Sequence, residues 1–166
     1  EKKTHKKPEI AFEIMMDLDA QHIRESEPVS EIISMLAANP AFSGVRSSLF
    51  TVLSELYNNA LEHGILGLDS RLKDTPEGFM EYFELRMSRL SALDEGYIQI
   101  NLKYVTCPHQ FVLEMKDSGK GFDLSDITST VDSDLGYGRG IALVNELTDS
   151  YTYSEHGTRV HAVLSF

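Results

Sequence analysis

Between residues 28 and 96 the apolar side chains of this chain recur every three or four positions, and from residue 97 to residue 116 they recur every second one. The first spacing is that of a helix with one buried stripe, the second that of a strand with one buried face. Helices that run first, followed by strands joined through short links, imply an α+β fold. The expected architecture is a two-layer α/β sandwich, a mostly antiparallel sheet with helices on one face. Residues 9–16, Glu-Ile-Ala-Phe-Glu-Ile-Met-Met, add a strand ahead of the helices.

The pattern predicts a helix over 28–38, with Ile32, Ile33, Leu36 and Ala37 as its stripe. Pro28 suits its first turn, and Asn39-Pro40 ends it. A longer helix is expected over 43–64, carried by Val45, Leu49, Val52, Leu53, Leu56 and Ala60 and stopped by Gly64. Asp74-Thr75-Pro76-Glu77 reads as another helix start. Phe79, Tyr82, Phe83, Leu85, Met87, Leu90 and Leu93 continue that helix to just before Gly96, and their periodicity favours packing on the domain over facing a partner. Strands follow over 97–105 and 110–116, with a hairpin break at Pro108-His109. A helix over 139–148 and a hairpin of 150–154 with 158–166, turning at His156-Gly157, complete the chain.

The 166 residues, 42% of them apolar, suit a single domain with a real core. Residues 1–8 read as a disordered polar tail, and the start at Glu1 as that of a domain cut from a longer protein. No apolar run approaches the roughly 20 residues of a membrane span, and no signal peptide is visible. The net charge of -11 argues against nucleic acid, whose phosphates dominate its affinity for proteins. One cysteine, Cys107, excludes an internal disulfide and a multi-cysteine metal site, and suits a cytoplasmic setting.

Three segments carry chemistry. In Glu55-Leu56-Tyr57-Asn58-Asn59-Ala60-Leu61-Glu62-His63-Gly64, Glu55 and Asn59 share a helix face one turn apart. An Asn carbonyl is a plausible Mg²⁺ ligand where phosphates supply the other oxygens, and a carboxylate one turn earlier can take a proton from an attacking hydroxyl. Taken alone, the pair reads more readily as polar residues on the wet face of a surface helix, where such pairs are common. Asn58 is a second candidate, and His63 is either a phosphate contact or a packed histidine near a helix end. In Asp117-Ser118-Gly119-Lys120-Gly121-Phe122, an ionised Asp can read an exocyclic amine such as that of adenine, and the glycines allow backbone to approach a flat ring; the same run also suits a glycine-rich turn after an edge strand. Gly136-Tyr137-Gly138-Arg139-Gly140 leads into a helix, whose free N–H groups and dipole favour an anion. No Gly-Lys-Ser or Gly-Lys-Thr occurs, so this is no Walker loop, and no βαβ pattern supports a Rossmann site.

Together, in this order, the segments resemble the N box and glycine boxes of the GHKL superfamily of ATPases. The resemblance spans about residues 9–166. It implies ATP and Mg²⁺ as cofactors, Asn59 as the metal ligand and Asp117 on the adenine amine. It further implies nucleotide contacts from His63, Gly119, Lys120, Gly121, Phe122, Gly136, Gly138, Arg139, Gly140 and, in a last box, Thr158. Within the superfamily the chain is most similar to the anti-sigma-factor serine kinases. Their N box, Glu-x-x-x-Asn-Ala-x-x-His-Gly, fits residues 55–64, and their short lid fits residues 123–135. That likeness implies Glu55 as catalytic base, an anti-anti-sigma (STAS) protein as the phosphorylated partner, a sigma factor as a further partner, and a homodimer. The helical segment 68–96 is longer than such kinases usually carry, and resembles kinase-like domains fused to response regulators that also hold a PPM-type phosphatase. Two other readings are a non-catalytic module that sequesters a sigma factor or STAS protein, and a histidine kinase catalytic domain.

Overall fold

The computed structural model describes residues 9–121 and 138–166. The tail over residues 1–8 and the lid over 123–135, both expected from the sequence, lie outside the described residues. Five strands form one antiparallel sheet: β1 (Ile10–Asp19), β2 (Tyr97–Thr106), β3 (His109–Asp117), β4 (Ser150–Ser154) and β5 (Arg159–Ser165), in the order β1-β2-β3-β5-β4. The α-helices among the described residues are α1 (Ala20–Glu25), α2 (Pro28–Ala37), α3 (Arg46–Asn58), α4 (Pro76–Ser91) and α5 (Gly138–Leu147). The α+β expectation holds.

Period-two alternation sorts the strands into two faces. Leu18, Ile98, Ile100, Leu102, Phe111, Leu113, Met115, Val160, Ala162 and Leu164 point inward and are buried. Register aligns them, with Leu102 opposite Leu113 and Leu113 opposite Ala162. Ile32 and Leu36 of α2 and Leu49, Val52, Leu53 and Leu56 of α3 close over that face. The other face carries cross-strand polar pairs: Asn101 Nδ2 donates to Glu13 Oε1 at 2.6 Å, and Arg159 pairs with Glu114. One wet and one dry face is what an antiparallel sheet permits.

The structure corrects several boundaries. β1 runs on to Asp19 rather than ending at residue 16, and Asp19 then accepts the N–H of His22 at 2.9 Å to cap the short α1. The helix expected over 43–64 is divided. Asn39 accepts the N–H of Ala41 at 3.0 Å and caps a 3₁₀ turn over Pro40–Phe42, so α3 opens only at Arg46. At its far end the helix does not stop at Gly64 but widens into a π-helical segment, Asn59–Ile65, in which Leu66 N–H donates to Leu61 O at 2.8 Å. Buried Leu56, Leu61 and Leu66 are five apart, the hydrogen-bond step of a π-helix. The β2–β3 hairpin turns at Cys107-Pro108 rather than Pro108-His109, since Thr106 and His109 already pair. Among the described residues no helix is long and apolar enough to cross a membrane.

Segment 68–96 packs on the domain. Thr75 caps α4 by accepting Gly78 N–H at 3.0 Å. Glu62, in the π-helical turn, then gathers three groups from this segment. Tyr82 Oη donates to Oε2 at 2.5 Å, Arg86 Nε donates to Oε1 at 2.9 Å, and Lys73 Nζ lies 3.7 Å from Oε2. Arg89 adds hydrogen bonds to Leu66 O at 2.9 Å and Gly67 O at 3.1 Å. A buried hydroxyl on a carboxylate contributes about 1.5–3 kcal/mol. Tyr82→Phe keeps the buried ring and removes that bond, so it should lower the unfolding free energy by about 2 kcal/mol in urea titration, at an unchanged denaturant slope. A loss under about 0.5 kcal/mol would show that the Tyr82–Glu62 bond anchors nothing.

Candidate nucleotide site

The sheet and the helix layer part at one place. There a shallow cleft opens between the end of α3 and the π-helical turn on one side and β3, β4 and β5 on the other. Its walls are Leu56, Ala60, Met115, Tyr153 and Val160, its polar groups Asn59, Asp117 and Thr158, and its glycines Gly64, Gly121 and Gly157. The N box and the first glycine box, far apart in sequence, thus meet at one cavity.

Asp117 is the buried polar residue at its floor, 7% exposed. It ends β3 and its N–H donates to Thr158 O at 2.9 Å, which ties it to the start of β5. Its Oδ1 accepts the N–H of Gly119 at 2.8 Å, so the Asp-Ser-Gly run folds as an Asx turn. Two backbone approaches enclose the carboxylate. A Cβ on Gly64 would lie 2.6 Å from Asp117 Oδ1, and one on Gly119 would lie 2.2 Å from Gly64 O. Only glycine allows the helix layer this close to the aspartate. Gly121, at φ +77, passes so near the β4–β5 turn that a Cβ there would reach His156 O. That turn is itself unusual, with Glu155 and His156 left-handed at φ 51 and 57. Lys116 at 3.0 Å and Arg159 at 3.2 Å hold Glu155 in place.

Burial pushes the Asp117 carboxyl up to about 6, against the opposing pull of the Gly119 N–H. With its oxygens already partly desolvated, this group favours a donor in the cleft. An exocyclic amine is such a donor.

Asn59 lines the cleft at the start of the π-helical turn. Glu55 lies one α-helical turn before it, since Asn59 N–H donates to Glu55 O. The Glu55 carboxylate faces the first turn of α5, where a Cβ on Gly140 would stand 2.1 Å from Oε2. Gly138 and Arg139 open that helix. The N box and the second glycine box are therefore in contact through Glu55 and Gly140. Asn58, the second candidate, is exposed.

Other sequence-predicted residues sit differently. His63 is outside the cleft lining. Its Nδ1 donates to Leu68 O at 2.8 Å, because a carbonyl only accepts, and burial holds its pKa below the usual range. The packed-histidine alternative describes this position. Lys120 is exposed. Thr158 donates its hydroxyl to Glu155 O at 2.7 Å while lining the cleft. Phe122 and Gly136 lie outside the described residues.

The apolar walls were not anticipated as site residues. Leu56, Ala60, Met115 and Val160 carry the same periodic signal as core positions, and nothing local separates wall from core. Glu62 also escaped notice, because its partners Tyr82 and Arg86 are 20 and 24 residues further on.

An aspartate in the unfolded chain titrates near 3.8, whereas folded Asp117 titrates near 6. Between those values the folded state binds more protons, so this group's contribution to stability is full below the lower value and is lost as pH rises through the upper one. Urea unfolding of wild type and Asp117→Asn across this window should give a stability difference that shifts in favour of the variant as pH rises to about 6, then stays constant. Parallel curves would contradict the burial argument.

A search of curated proteins finds no significant match to the chain. The family model for the histidine kinase-like ATPase domain matches residues 24–164, a span from α1 to β5 that contains every element bordering the cleft. The antiparallel sheet with helices over one face agrees with the fold of that family. The chain belongs to the histidine kinase-like ATPase family, within the GHKL superfamily, and that membership implies that it binds ATP.

Proposed function

We propose that this chain is a serine/threonine protein kinase of the anti-sigma-factor type, which phosphorylates a serine on an anti-anti-sigma (STAS) protein in the cytoplasm and thereby controls release of a sigma factor. The observation that carries this reading is the position of Glu55: one helical turn before Asn59, with its carboxylate against the first turn of α5. That is where a base for a hydroxyl acceptor belongs in the family's N box.

The residues present fit Mg-ATP. Asp117 is a buried acceptor for the adenine amine, beside glycines that leave no side chain in the way. Asn59 offers a carbonyl oxygen to Mg²⁺, which needs few protein ligands when phosphates complete its shell. Bound Mg-ATP supplies the phosphoryl group and the metal charge that stabilises its transfer. Glu55 accepts the proton of the serine hydroxyl, and the N–H groups of the first turn of α5 face negative charge. A phosphate on the STAS serine adds close to two negative charges, enough to break an interface.

The test is incubation of this chain and Mg-ATP with purified STAS-domain proteins from the same organism, read by mass spectrometry. Acid-stable phosphoserine is expected; acid-labile phosphohistidine would assign the domain to a histidine kinase, and no transfer despite ATP binding would support the sequestering module. Glu55→Gln should slow transfer by about 10²- to 10⁴-fold, with ATP affinity unchanged in calorimetry. Asn59→Ala should weaken Mg-dependent ATP binding about tenfold or more, and leave Mg-independent binding alone.

Gly140 separates stability from transfer. A methyl there meets the mobile end of Glu55, not backbone, so the carboxylate moves aside at little cost to the fold. Alanine is also about 1 kcal/mol better than glycine within a helix. Gly140→Ala should therefore melt no lower than wild type yet transfer phosphate about tenfold more slowly, since a displaced base is a poor one. Equal activity would mean that the Glu55 position is immaterial.

A further inference from the structure

Helix α4 has two characters. Its inner face is fixed: Tyr82 is fully buried, Arg86 is bonded to Glu62, and Arg89 is bonded to two backbone carbonyls. Its outer face carries Phe79, Met80, Phe83 and Met87, which are 46%, 64%, 47% and 68% exposed. At spacings of three and four these form one stripe along the helix. Phe79 and Phe83 are edge-to-face at 4.9 Å, so the stripe is ordered by its own contacts. Large apolar side chains gathered on one exposed face, two of them adaptable methionines, mark an interaction surface.

Charge indicates the occupant. Both arginines of α4 are engaged by their own chain, Arg86 with Glu62 and the exposed Arg89 with the carbonyls of Leu66 and Gly67, while the exposed Glu77, Glu81 and Glu84 remain as a line at i, i+4 and i+7 beside the stripe. None of the three makes an ion pair with another described residue. A second copy of this chain would bring the same acids and a net charge of -11 against them, and an anionic membrane would be repelled. An amphipathic helix with an apolar ridge bordered by Lys or Arg matches both lines.

We propose that the outer face of α4 is a docking surface for a basic amphipathic helix of another protein. Phe79, Met80, Phe83 and Met87 receive its apolar ridge, and Glu77, Glu81 and Glu84 pair with its basic border. The latch through Glu62 presents this face already in place, so docking costs little ordering of the helix. The proposal is independent of the kinase reading, because its readout is binding and not turnover.

The probe is a labelled synthetic peptide of leucine and lysine, amphipathic as a helix and about 18 residues long, enough to run along α4. A second peptide has glutamate in place of every lysine. Fluorescence anisotropy with the full chain at about 0.15 M salt should show saturable one-to-one binding of the basic peptide and none of the acidic one. Phe83→Ser and Met87→Ser should each weaken binding about tenfold. Glu77→Gln, Glu81→Gln and Glu84→Gln combined should weaken it about fivefold or more. Neutralising Glu9, Glu13 and Asp17 instead should have no effect. Met87 is so exposed that its variant tests the surface even where Phe83→Ser perturbs the fold, which circular dichroism checks. Binding indifferent to the α4 variants, or equally reduced by the remote neutralisation, would overturn the proposal. So would sedimentation that shows a dimer abolished by Met87→Ser, which makes the face a self-interface, or α4-dependent binding to anionic phosphatidylglycerol vesicles.

Discussion

The close approach of the Gly64 backbone to the Asp117 carboxylate decides how the two layers meet. Gly64 belongs to the helix layer and Asp117 to the sheet, and side chains fill the space between the layers elsewhere. Here a backbone and a carboxylate fill it, with Gly119 folded over the same spot. The cleft exists because the layers touch at this point and diverge beside it. The same contact desolvates Asp117 and raises its pKa, so the geometry that opens the cavity also tunes its acceptor.

Much of the fold was legible because its signals are local. Thr75 with Pro76, Pro28 at the start of α2 and the alternation from Ile98 to Leu102 each concern residues within a few positions of one another, and each appears as read. Helix α1 was missed although Asp19 was there to cap it: with only Ala20 and Ile23 buried, a helix of six residues shows no stripe. The π-helical turn was misread because spacings of four and five overlap. Val52, Leu56 and Ala60 obey the first, while Leu56, Leu61 and Leu66 obey the second.

The site was legible in kind and less so in arrangement. Glu55, Asn59 and Asp117 were identifiable from their motifs, and Asn59 and Asp117 line one cleft. Which face His63 would take was undecided until its ring was found bonded to Leu68 O, a partner created by the widened turn. The contact of Gly140 with Glu55 joins positions that no periodicity connects. Long-range juxtaposition is a property of the closed fold, and spacing alone cannot express it.

Glu62 gives the molecule a division of labour. Segment 70–91 is anchored through the Glu62 carboxylate and the carbonyls of Leu66 and Gly67, all within six residues of chain, and apart from the fully buried Tyr82 its Leu72, Leu85 and Leu90 rest only partly buried against the core. Such a segment is mounted rather than woven in. Its outward face can diversify without disturbing the strands that frame the cleft, because no sheet hydrogen bond runs through it. The mount itself lies between Asn59 and Gly64, two residues lining the cleft, so the outer segment is tied directly to the wall of the site.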